Sequence, residues 1–420
     1  MKKWFSSLAL LLTLCLALAG CGSNNSSNGS SKSNSGDDGN KVITLWSSTT
    51  GPDGQKIQKT IDQYNATNPE YKVKLVTMQG TTFNSKLASV TRSGQGVPDL
   101  ALIASESVSA YQSQGMLEPW DQYIKGTKVT ASNYLKEAWN VGTIGGQQYG
   151  LPSTMGTWVM YYNPDLVNKY CPGAVTNGVV TYSSIEKCGA TAKNDGIYSY
   201  GNAWGMQNFN NLYLQMGGHF SANGKPTIDT PTAVKTMQEF KKIYDEGYMP
   251  KKDENADQLF EQGKIIFLPE GTWMLSEFQK IKGFKPVETF TPQWDASHIV
   301  QASGADQFVM FKSNARTDVK AKAEVKFIQW LQGNQLTWVK SGANPTALAM
   351  LNNPDYTKMP QSFLIKDSSA RNAIKIITDP GASYSFSGID GAFWDMVDGK
   401  AGINSKLKEV QQTVNSQMGQ

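Results

Sequence analysis

Tryptophan and side-chain amides occur together in the segment NAWGMQNFNN, which brings Trp204 close to Gln207, Asn208 and Asn210. Aromatic rings interleaved with side-chain amides suit a ligand that has an apolar face and a rim of hydroxyl groups. The composition of this segment predicts a loop. Two interpretations of that loop remain open, a ligand-binding role and an ordinary solvated surface.

A second candidate site follows the apolar stretch VITLW, where Trp46 leads into Ser47 and Ser48. The stretch predicts a buried strand, and ligands of open α/β sheets bind beyond the carboxyl ends of strands. We therefore treat these three residues as candidate ligand-binding residues. The alternative for Trp46 is a place in the hydrophobic core, since tryptophan is highly buried on average.

The first twenty residues have the layout of a secretory signal peptide, with two lysines, an apolar stretch over residues 5–19 and a small-residue end. The apolar stretch is shorter than the roughly 20 residues of a membrane-spanning helix. LAGC at residues 18–21 resembles the lipobox of bacterial lipoproteins, in which the signal is cut before the cysteine. That resemblance implies that Cys21 becomes the lipidated N-terminus.

Residues 22–40 are almost entirely Ser, Asn, Gly and Asp. Such a segment cannot bury enough apolar surface to offset the entropy of ordering. We therefore predict a lipidated cysteine and disordered tether over residues 21–40, with a mean span of roughly 25 Å and a reach of about 65 Å. This layout predicts a protein held by its lipid alone at the extracellular face of a cell membrane, and it favours a Gram-positive bacterium.

Two of the four cysteines remain after export and lipidation. Cys15 leaves with the signal peptide and Cys21 carries the lipid, so Cys171 and Cys188 form an even pair in an exported chain. Compartment and parity favour a disulfide between them. The alternative is a pair of free thiols.

Composition argues against several functions. The two histidines, His219 and His298, belong to no HExxH motif and the cysteines to no CxxC motif, so we expect no metal and no cofactor. The formal charge is +4, and it falls to +2 once the two lysines of the signal peptide are removed (4 − 2 = 2). A near-neutral chain has no general affinity for nucleic acid.

The folded part begins near Lys41 with alternating strand and helix patterns. VITLW, YKVKLVTM and PDLALIA predict strands, and Ile57, Ile61 and Tyr64 share one face of the helix between the first two. Strands separated by helices predict a mainly parallel α/β sheet. A later helix, TAVKTMQEFKKIYDEG, has Thr230 as its N-cap.

Five segments in a fixed order carry a family resemblance that runs from Val42 almost to the C-terminus. They are VITLWSSTTGPDG, SGQGVPDLALIASESVSAYQSQGMLEPWD, GGQQYGLPSTMGTWVMYYNPDLV, FEQGKIIFLPEGTWMLSEF and GAFWDMVDGKAGINSKLKEVQQTV. Together they resemble the extracellular solute-binding proteins of the carbohydrate type, the group that includes the maltose-binding proteins of ABC importers.

The resemblance implies a type II periplasmic-binding-protein fold, with two α/β lobes joined by a hinge and a ligand cleft between them. The N-terminal lobe would comprise residues 41–152 and 306–342, and the C-terminal lobe residues 153–305 and 343–420. Crossing segments would fall near residues 151–156, 301–306 and 341–351. Ligand contacts to both lobes would then favour closure of the cleft.

The same resemblance adds candidate ligand-binding residues. Trp158 follows the first crossing, Asp306 lies at the second, and Trp273 and Trp394 stand where the family places aromatic side chains. Gly271 would let the backbone approach the ligand. Glu106 occupies a position where the family often sets a carboxylate on sugar hydroxyls, although a solvated carboxylate at a helix start is nearly as good an interpretation. For Asp306 the alternative is a hydrogen bond within the hinge.

The resemblance implies a monomeric binding protein, not an enzyme, that captures a sugar and delivers it to the transmembrane permease subunits of an ABC transporter. Aromatic side chains and the glycine at position 156 favour an oligosaccharide. One alternative keeps the fold and changes the ligand to a glycerol phosphodiester, a polyamine or a peptide. Another is a surface glycoside hydrolase or lyase, which needs two carboxylates flanking a bond.

Overall fold

The structure is a computed structural model and describes residues 41–379 and 381–419. The predicted signal peptide, Cys21 and the predicted tether lie outside the described residues. Within the described ranges no helix is both long and apolar enough to cross a membrane.

The strands, in chain order, are β1 Val42–Ser47, β2 Lys72–Thr77, β3 Leu100–Ile103, β4 Leu117–Glu118, β5 Thr143–Ile144, β6 Gln147–Gln148, β7 Gly150–Tyr162, β8 Tyr198–Tyr200, β9 Ser221–Ala222, β10 Lys225–Pro226, β11 Ile265–Gly271, β12 Val287–Phe290, β13 Gln301–Phe311, β14 Asn344–Pro345 and β15 Ile374–Ile376. The helices are α1 Gly51–Ala66, α2 Gly80–Ser93, α3 Ser105–Ser113, α4 Asp121–Ile124, α5 Lys136–Val141, α6 Pro164–Tyr170, α7 Tyr182–Ala192, α8 Gly205–Gln215, α9 Pro231–Asp245, α10 Ala256–Glu261, α11 Leu275–Phe278, α12 Asp318–Asn334, α13 Leu336–Val339, α14 Leu348–Leu351, α15 Ser368–Ala373, α16 Ala382–Val397 and α17 Ile403–Gln417.

The main sheet is mixed and has the strand order β2-β1-β3-β13-β7-β11-β8. Strand β1 pairs in parallel with β2 and with β3, which confirms the predicted parallel arrangement of the first three strands. Strand β13 is antiparallel to both β3 and β7. The centre of the sheet is therefore antiparallel, a feature that the local sequence patterns do not predict.

Three segments cross at the centre of the molecule. The two long strands β7 and β13 pair along much of their length, and β14 pairs with β7. Thr157 and Ser303 face each other across the strand pair, with their hydroxyl oxygens 3.0 Å apart. These segments lie near the three crossings that the resemblance implies, and β7 and β13 contribute residues to the cavity described below.

Separate hydrophobic cores lie at the two ends of the sheet. One contains the inner faces of α7, α8, α9, α16 and α17, with Phe209, Met237 and Phe393 buried among them. Another fills the space between β1–β3 and the helices α1 and α12, where Ile57 and Ile328 are buried. A third core follows the crossing strands. Each end of the sheet is thus a packed α/β layer with its own core.

Helix α9 shows how local sequence sets the bounds of an element. The Thr230 side chain accepts a hydrogen bond from the Ala233 N–H, and Pro231 occupies the first turn. Met237 and Phe240 are fully buried one turn apart. Capping and the apolar face agree, which is why the sequence predicts this helix correctly.

A disulfide joins Cys171, which follows α6, to Cys188 on α7, with their Cα atoms 5.2 Å apart. This is the pair that compartment and parity favour. Because Cys188 is fully buried, the bridge ties the loop after α6 to the core of the α7–α9 layer.

Candidate ligand-binding site

A cavity of about 600 Å³ opens above the crossing strands. Its volume lies within the range of roughly 300–1,000 Å³ that is typical of small-molecule sites. Side chains reach it from the turn before α1, the start of α3, strands β7 and β13, the start of α8, and the turn after β11. The cavity is thus lined by residues from both ends of the sheet.

Three tryptophans form one wall of the cavity. Trp158 lies on β7, Trp204 precedes α8 and Trp273 follows β11; the ring centroid of Trp158 is 4.8 Å from that of Trp273 and 6.1 Å from that of Trp204. Trp204 is 44% exposed although it lines the cavity. Gly271 makes this wall possible, because a Cβ atom there would lie 2.2 Å from the Trp273 ring.

The orientation of Trp204 is fixed by a buried glutamate. Its indole N–H donates to Oε1 of Glu270 at 2.5 Å, and the N–H of Gly271 donates to the other carboxyl oxygen. Burial, together with the nearby Asp257, raises the pKa of Glu270 to about 8 against the lowering effect of these two hydrogen bonds. The indole ring is therefore held in place while its face stays open to the cavity.

Carboxyl groups from three elements also line the cavity. Asp53 comes from the first turn of α1, Glu106 from the first turn of α3 and Asp306 from β13. Burial, together with the neighbouring Glu106 and Asp53, raises the pKa of Asp306 to about 8. Burial also raises the pKa of Glu106 and of Asp53. Protonated carboxyls can donate hydrogen bonds as well as accept them.

Several polar atoms of the cavity lining are buried without a hydrogen-bond partner among the described residues. They are Oδ1 of Asp53, Oε1 of Gln207, Oδ1 of Asn210 and the hydroxyl of Thr272. A buried polar group without a partner costs about 1–3 kcal/mol. Hydroxyl groups of a ligand, or water, would satisfy these atoms. The described lining contains carboxyls, amides and hydroxyls but no Lys, Arg or His.

Eight of the residues that the sequence analysis selected line this cavity. They are Ser48, Glu106, Trp158, Trp204, Gln207, Asn210, Trp273 and Asp306. Five others, Trp46, Ser47, Asn208, Gly271 and Trp394, do not line it.

Trp46 and Ser47 belong to the interior. Trp46 is only 8% exposed and packs in the core along the crossing strands, with Nζ of Lys86 5.0 Å from its ring centroid. Ser47 is fully buried, and its hydroxyl accepts a hydrogen bond from the N–H of Thr49. A strand covered on both faces buries successive side chains, so only Ser48, beyond the strand end, reaches the cavity.

The segment NAWGMQNFNN is not a loop, contrary to the prediction, because α8 begins at Gly205. Helical spacing turns Gln207 and Asn210 toward the cavity. Asn208 is buried elsewhere, and its Nδ2 donates to Oδ1 of Asn202 at 2.5 Å.

Trp394 packs within the helical layer instead of lining the cavity. Its ring lies against Tyr244 of α9 and Phe393, with centroid distances of 6.1 and 5.8 Å. The same helix, α16, contributes Phe386 to the cavity lining.

The sequence analysis missed several lining residues, among them Asp53, Glu277 and Phe386, and also Glu270 behind the wall. Asp53 carries a usable signal, since it follows a predicted strand in the turn TTGPDG. Glu270 lies in an apolar strand, FLPEG, where its partner Trp204 is 66 residues away in sequence, so no local pattern identifies it.

No group of three or more His, Cys, Asp or Glu side chains is arranged to hold a metal ion in the part of the chain that the structure describes.

Residues 59–363 match the family of bacterial extracellular solute-binding proteins. The chain belongs to this family. A solved structure of an ABC substrate-binding protein from Listeria monocytogenes in complex with cycloalternan has a TM-score of 0.74 at 20% identity, over 90% of this chain and 99% of that chain. The resemblance and the fold class, two α/β lobes joined by a hinge with a ligand cleft between them, are confirmed.

Two curated relatives match this chain in sequence. The arabinooligosaccharide-binding protein of Bacillus subtilis (strain 168) is 25% identical over 249 residues, which cover 58% of this chain and 54% of that protein. The match therefore spans about half the length of that relative. The maltotriose-binding protein of Pyrococcus abyssi (strain GE5 / Orsay) is 22% identical over 398 residues, 90% of this chain and 83% of the relative.

Proposed function

We propose that this solute-binding protein captures a sugar, with an oligosaccharide favoured, and delivers it to the permease subunits of an ABC transporter. The observation that carries the proposal is the cavity itself, which is lined by three tryptophans together with carboxyls and amides. Aromatic faces stack on the apolar side of a pyranose, and the polar wall bonds its hydroxyls. The relatives named for arabinooligosaccharide and maltotriose binding support the same ligand class.

Lobe closure would couple capture to delivery. In the proposed division, residues 41–152 and 306–342 form one lobe and residues 153–305 and 343–420 the other. Asp53 and Glu106 belong to the first lobe, whereas Trp204 and Trp273 belong to the second. A ligand that contacts both sets favours the closed state by its differential affinity for the two states.

The charge of the cavity separates sugar from two of the alternative ligands. A glycerol phosphodiester or an acidic peptide would meet carboxyls and no basic side chain in the described lining, which disfavours an anion. A polyamine is the second candidate, because the structure adds Asp53 to the carboxyls of Glu106 and Asp306. Three tryptophans and the unpartnered amide oxygens favour the sugar over the polyamine.

The proposal is of a monomeric binding protein and not of an enzyme. The proposal also includes lipidation of Cys21, a flexible tether over residues 22–40 and a location on the extracellular face of a Gram-positive membrane. Metabolic labelling with a fatty-acid analogue tests the anchor, since wild-type chain should incorporate the label and a Cys21→Ala variant should not.

Mass spectrometry of small molecules that co-purify with the protein tests the ligand class. We expect a neutral glycan released on denaturation. Prolonged incubation of the protein with that glycan should release no new reducing ends. Reducing ends that increase in proportion to protein would instead favour a hydrolase or lyase.

A further inference from the structure

A second groove, of about 330 Å³, continues from the main cavity. The two share seven lining residues, among them Glu106, Trp204 and Gln207. Shared lining residues place the two spaces side by side. The groove therefore adjoins the main cavity on the side of α2, α3 and α16.

The walls of the groove suit a sugar unit. Phe83 of α2 and Phe386 of α16 supply apolar surface, and both side chains are less than a tenth exposed. Polar side chains line the rest, including Ser107 of α3 and Ser387 and Asp390 of α16. An apolar surface with a polar rim matches one face and the hydroxyl edge of a pyranose.

Hydrogen-bonding capacity in the groove is unused. The side chains of Asn84, Ser107 and Asp390 make no hydrogen bond to other described residues. The Ser387 hydroxyl donates to the Ser383 carbonyl oxygen at 3.1 Å, which leaves its oxygen free to accept. A ligand placed here would therefore find donors and acceptors without breaking contacts of the fold.

Trp204 stands at the junction of the two spaces. It lines both, its side chain is 44% exposed, and Glu270 holds its indole N–H. A ring fixed in this way costs little conformational entropy when a ligand stacks on it. It offers a stacking surface at the point where a chain would pass from the cavity into the groove.

We propose that the groove between α2, α3 and α16 is a distal subsite for a further unit of a linear oligosaccharide, contacted by Ser107, Ser387 and Asp390. The inference rests on the proposed sugar-binding function and deepens it by assigning a determinant of chain length. Glu106 and Asp390 give the groove carboxyl groups, and its described lining contains no basic residue. The subsite therefore takes a neutral unit in preference to a uronate.

Calorimetric titration with linear malto-oligosaccharides and arabino-oligosaccharides of two to six units tests the subsite. In at least one series the affinity of the wild type should rise at least tenfold from the disaccharide to the longer members. Ser387→Trp, at an exposed position of α16, fills the groove and should remove that gain. Its affinity for the disaccharide should stay within twofold of wild type.

Asn404→Trp is the matched control, because it adds a similar side chain at an exposed position of α17 outside both spaces. Should Ser387→Trp fail to fold, Asp390→Ala provides a milder variant, expected to weaken long ligands several-fold and spare the disaccharide.

The outcomes distinguish failure of the proposed function from failure of the proposed subsite. Wild-type protein that binds no sugar of any length would refute the proposed function. Sugar binding that is independent of chain length, or long ligands that bind Ser387→Trp or Asp390→Ala as tightly as wild type, would refute the subsite alone.

Discussion

Trp204 illustrates how a single side chain is positioned at a cavity. Its face is exposed, while its indole N–H is held by Glu270. We expect Trp204→Ala to weaken sugar binding by a factor of about ten, since aromatic contacts contribute roughly 0.5–1.5 kcal/mol beyond area burial. Trp294→Ala is the control in calorimetric titration, because Trp294 is 39% exposed and lines neither space. Equal losses in both variants would contradict the assignment.

Glu288 on β12 provides a test of pH dependence at the residue scale. Both of its carboxyl oxygens are buried without a hydrogen-bond partner, and burial raises its pKa to about 8. Between the ordinary pKa of glutamate, about 4.3, and pH 8, the folded state binds more protons than the unfolded state, so stability falls as pH rises through this window.

Glu288→Gln should therefore raise the free energy of unfolding at pH 8 by about 1 kcal/mol or more and leave it less dependent on pH. Denaturant titrations at pH 5 and pH 8 measure both quantities. Asp253→Asn, at an exposed position in the turn before α10, should change neither. A gain for Glu288→Gln that is equal at the two pH values would contradict the explanation.

The kinds of residue that line the cavity were easier to predict than the individual residues. Trp204, Trp273 and Asp306 follow from composition and from the family resemblance, and they line the cavity. Trp46 does not, because β1 is covered on both faces and the Trp46 side chain is buried, and the sequence alone does not reveal the covering layers. Glu270 could not be predicted, since its role depends on a contact across the sheet.

At the scale of elements, the crossing segment before β14 supports the turn that carries Trp273. Gly342 has a φ of +115°, and a Cβ atom there would lie 1.7 Å from the carbonyl oxygen of Thr272. Gly342→Ala should therefore lower the free energy of unfolding by more than about 2 kcal/mol, through backbone strain and the clash together.

Gly333→Ala is the matched control, because it lies in α12 with open space around it. It should raise stability by up to about 1 kcal/mol, the helix-propensity difference between the two residues. Chemical denaturation of both variants measures these changes. A Gly342→Ala variant as stable as wild type would refute the close approach of residue 342 to the Thr272 carbonyl oxygen.

Elements were predictable where capping and apolar periodicity agree, as in α9. Helix α8 was missed because amides and glycine dominate its first turns and Trp204, its N-cap residue, makes no side-chain capping hydrogen bond. Tertiary packing supplies what the local sequence lacks, since Phe209, Leu212 and Tyr213 are buried. Local propensity is a weak guide where burial decides.

At the scale of the whole molecule, the order of family segments was sufficient to predict the fold class. The pairing of β7 with β13 was not predictable from local patterns, because almost 140 residues separate the two strands in the chain. Sequence periodicity identifies strands but not their distant partners. The antiparallel centre, and with it the position of the cavity, therefore required the structure.

The disulfide makes a prediction about global stability. Cys171 and Cys188 are 17 residues apart in sequence, and closing such a loop stabilises by about 3 kcal/mol in the chain-entropy account. A double Cys→Ser variant should lose about 3 kcal/mol of unfolding free energy, seen as a lower denaturant midpoint. It should keep its sugar affinity, since neither cysteine lines the cavity. An unchanged midpoint, or lost binding in a folded variant, would contradict this assignment.

The central claim is that a neutral sugar is the ligand, and calorimetric titration of the purified full-length chain against matched ligand classes tests it most directly. The panel comprises mono-, di- and oligosaccharides, glycerophosphocholine, spermidine and a short peptide. The account predicts that at least one oligosaccharide binds with a Kd near or below the micromolar range, about 8 kcal/mol of binding free energy. Glycerophosphocholine, spermidine and the peptide should bind far more weakly. Silence across all sugars, or tighter binding of spermidine or glycerophosphocholine, would contradict it.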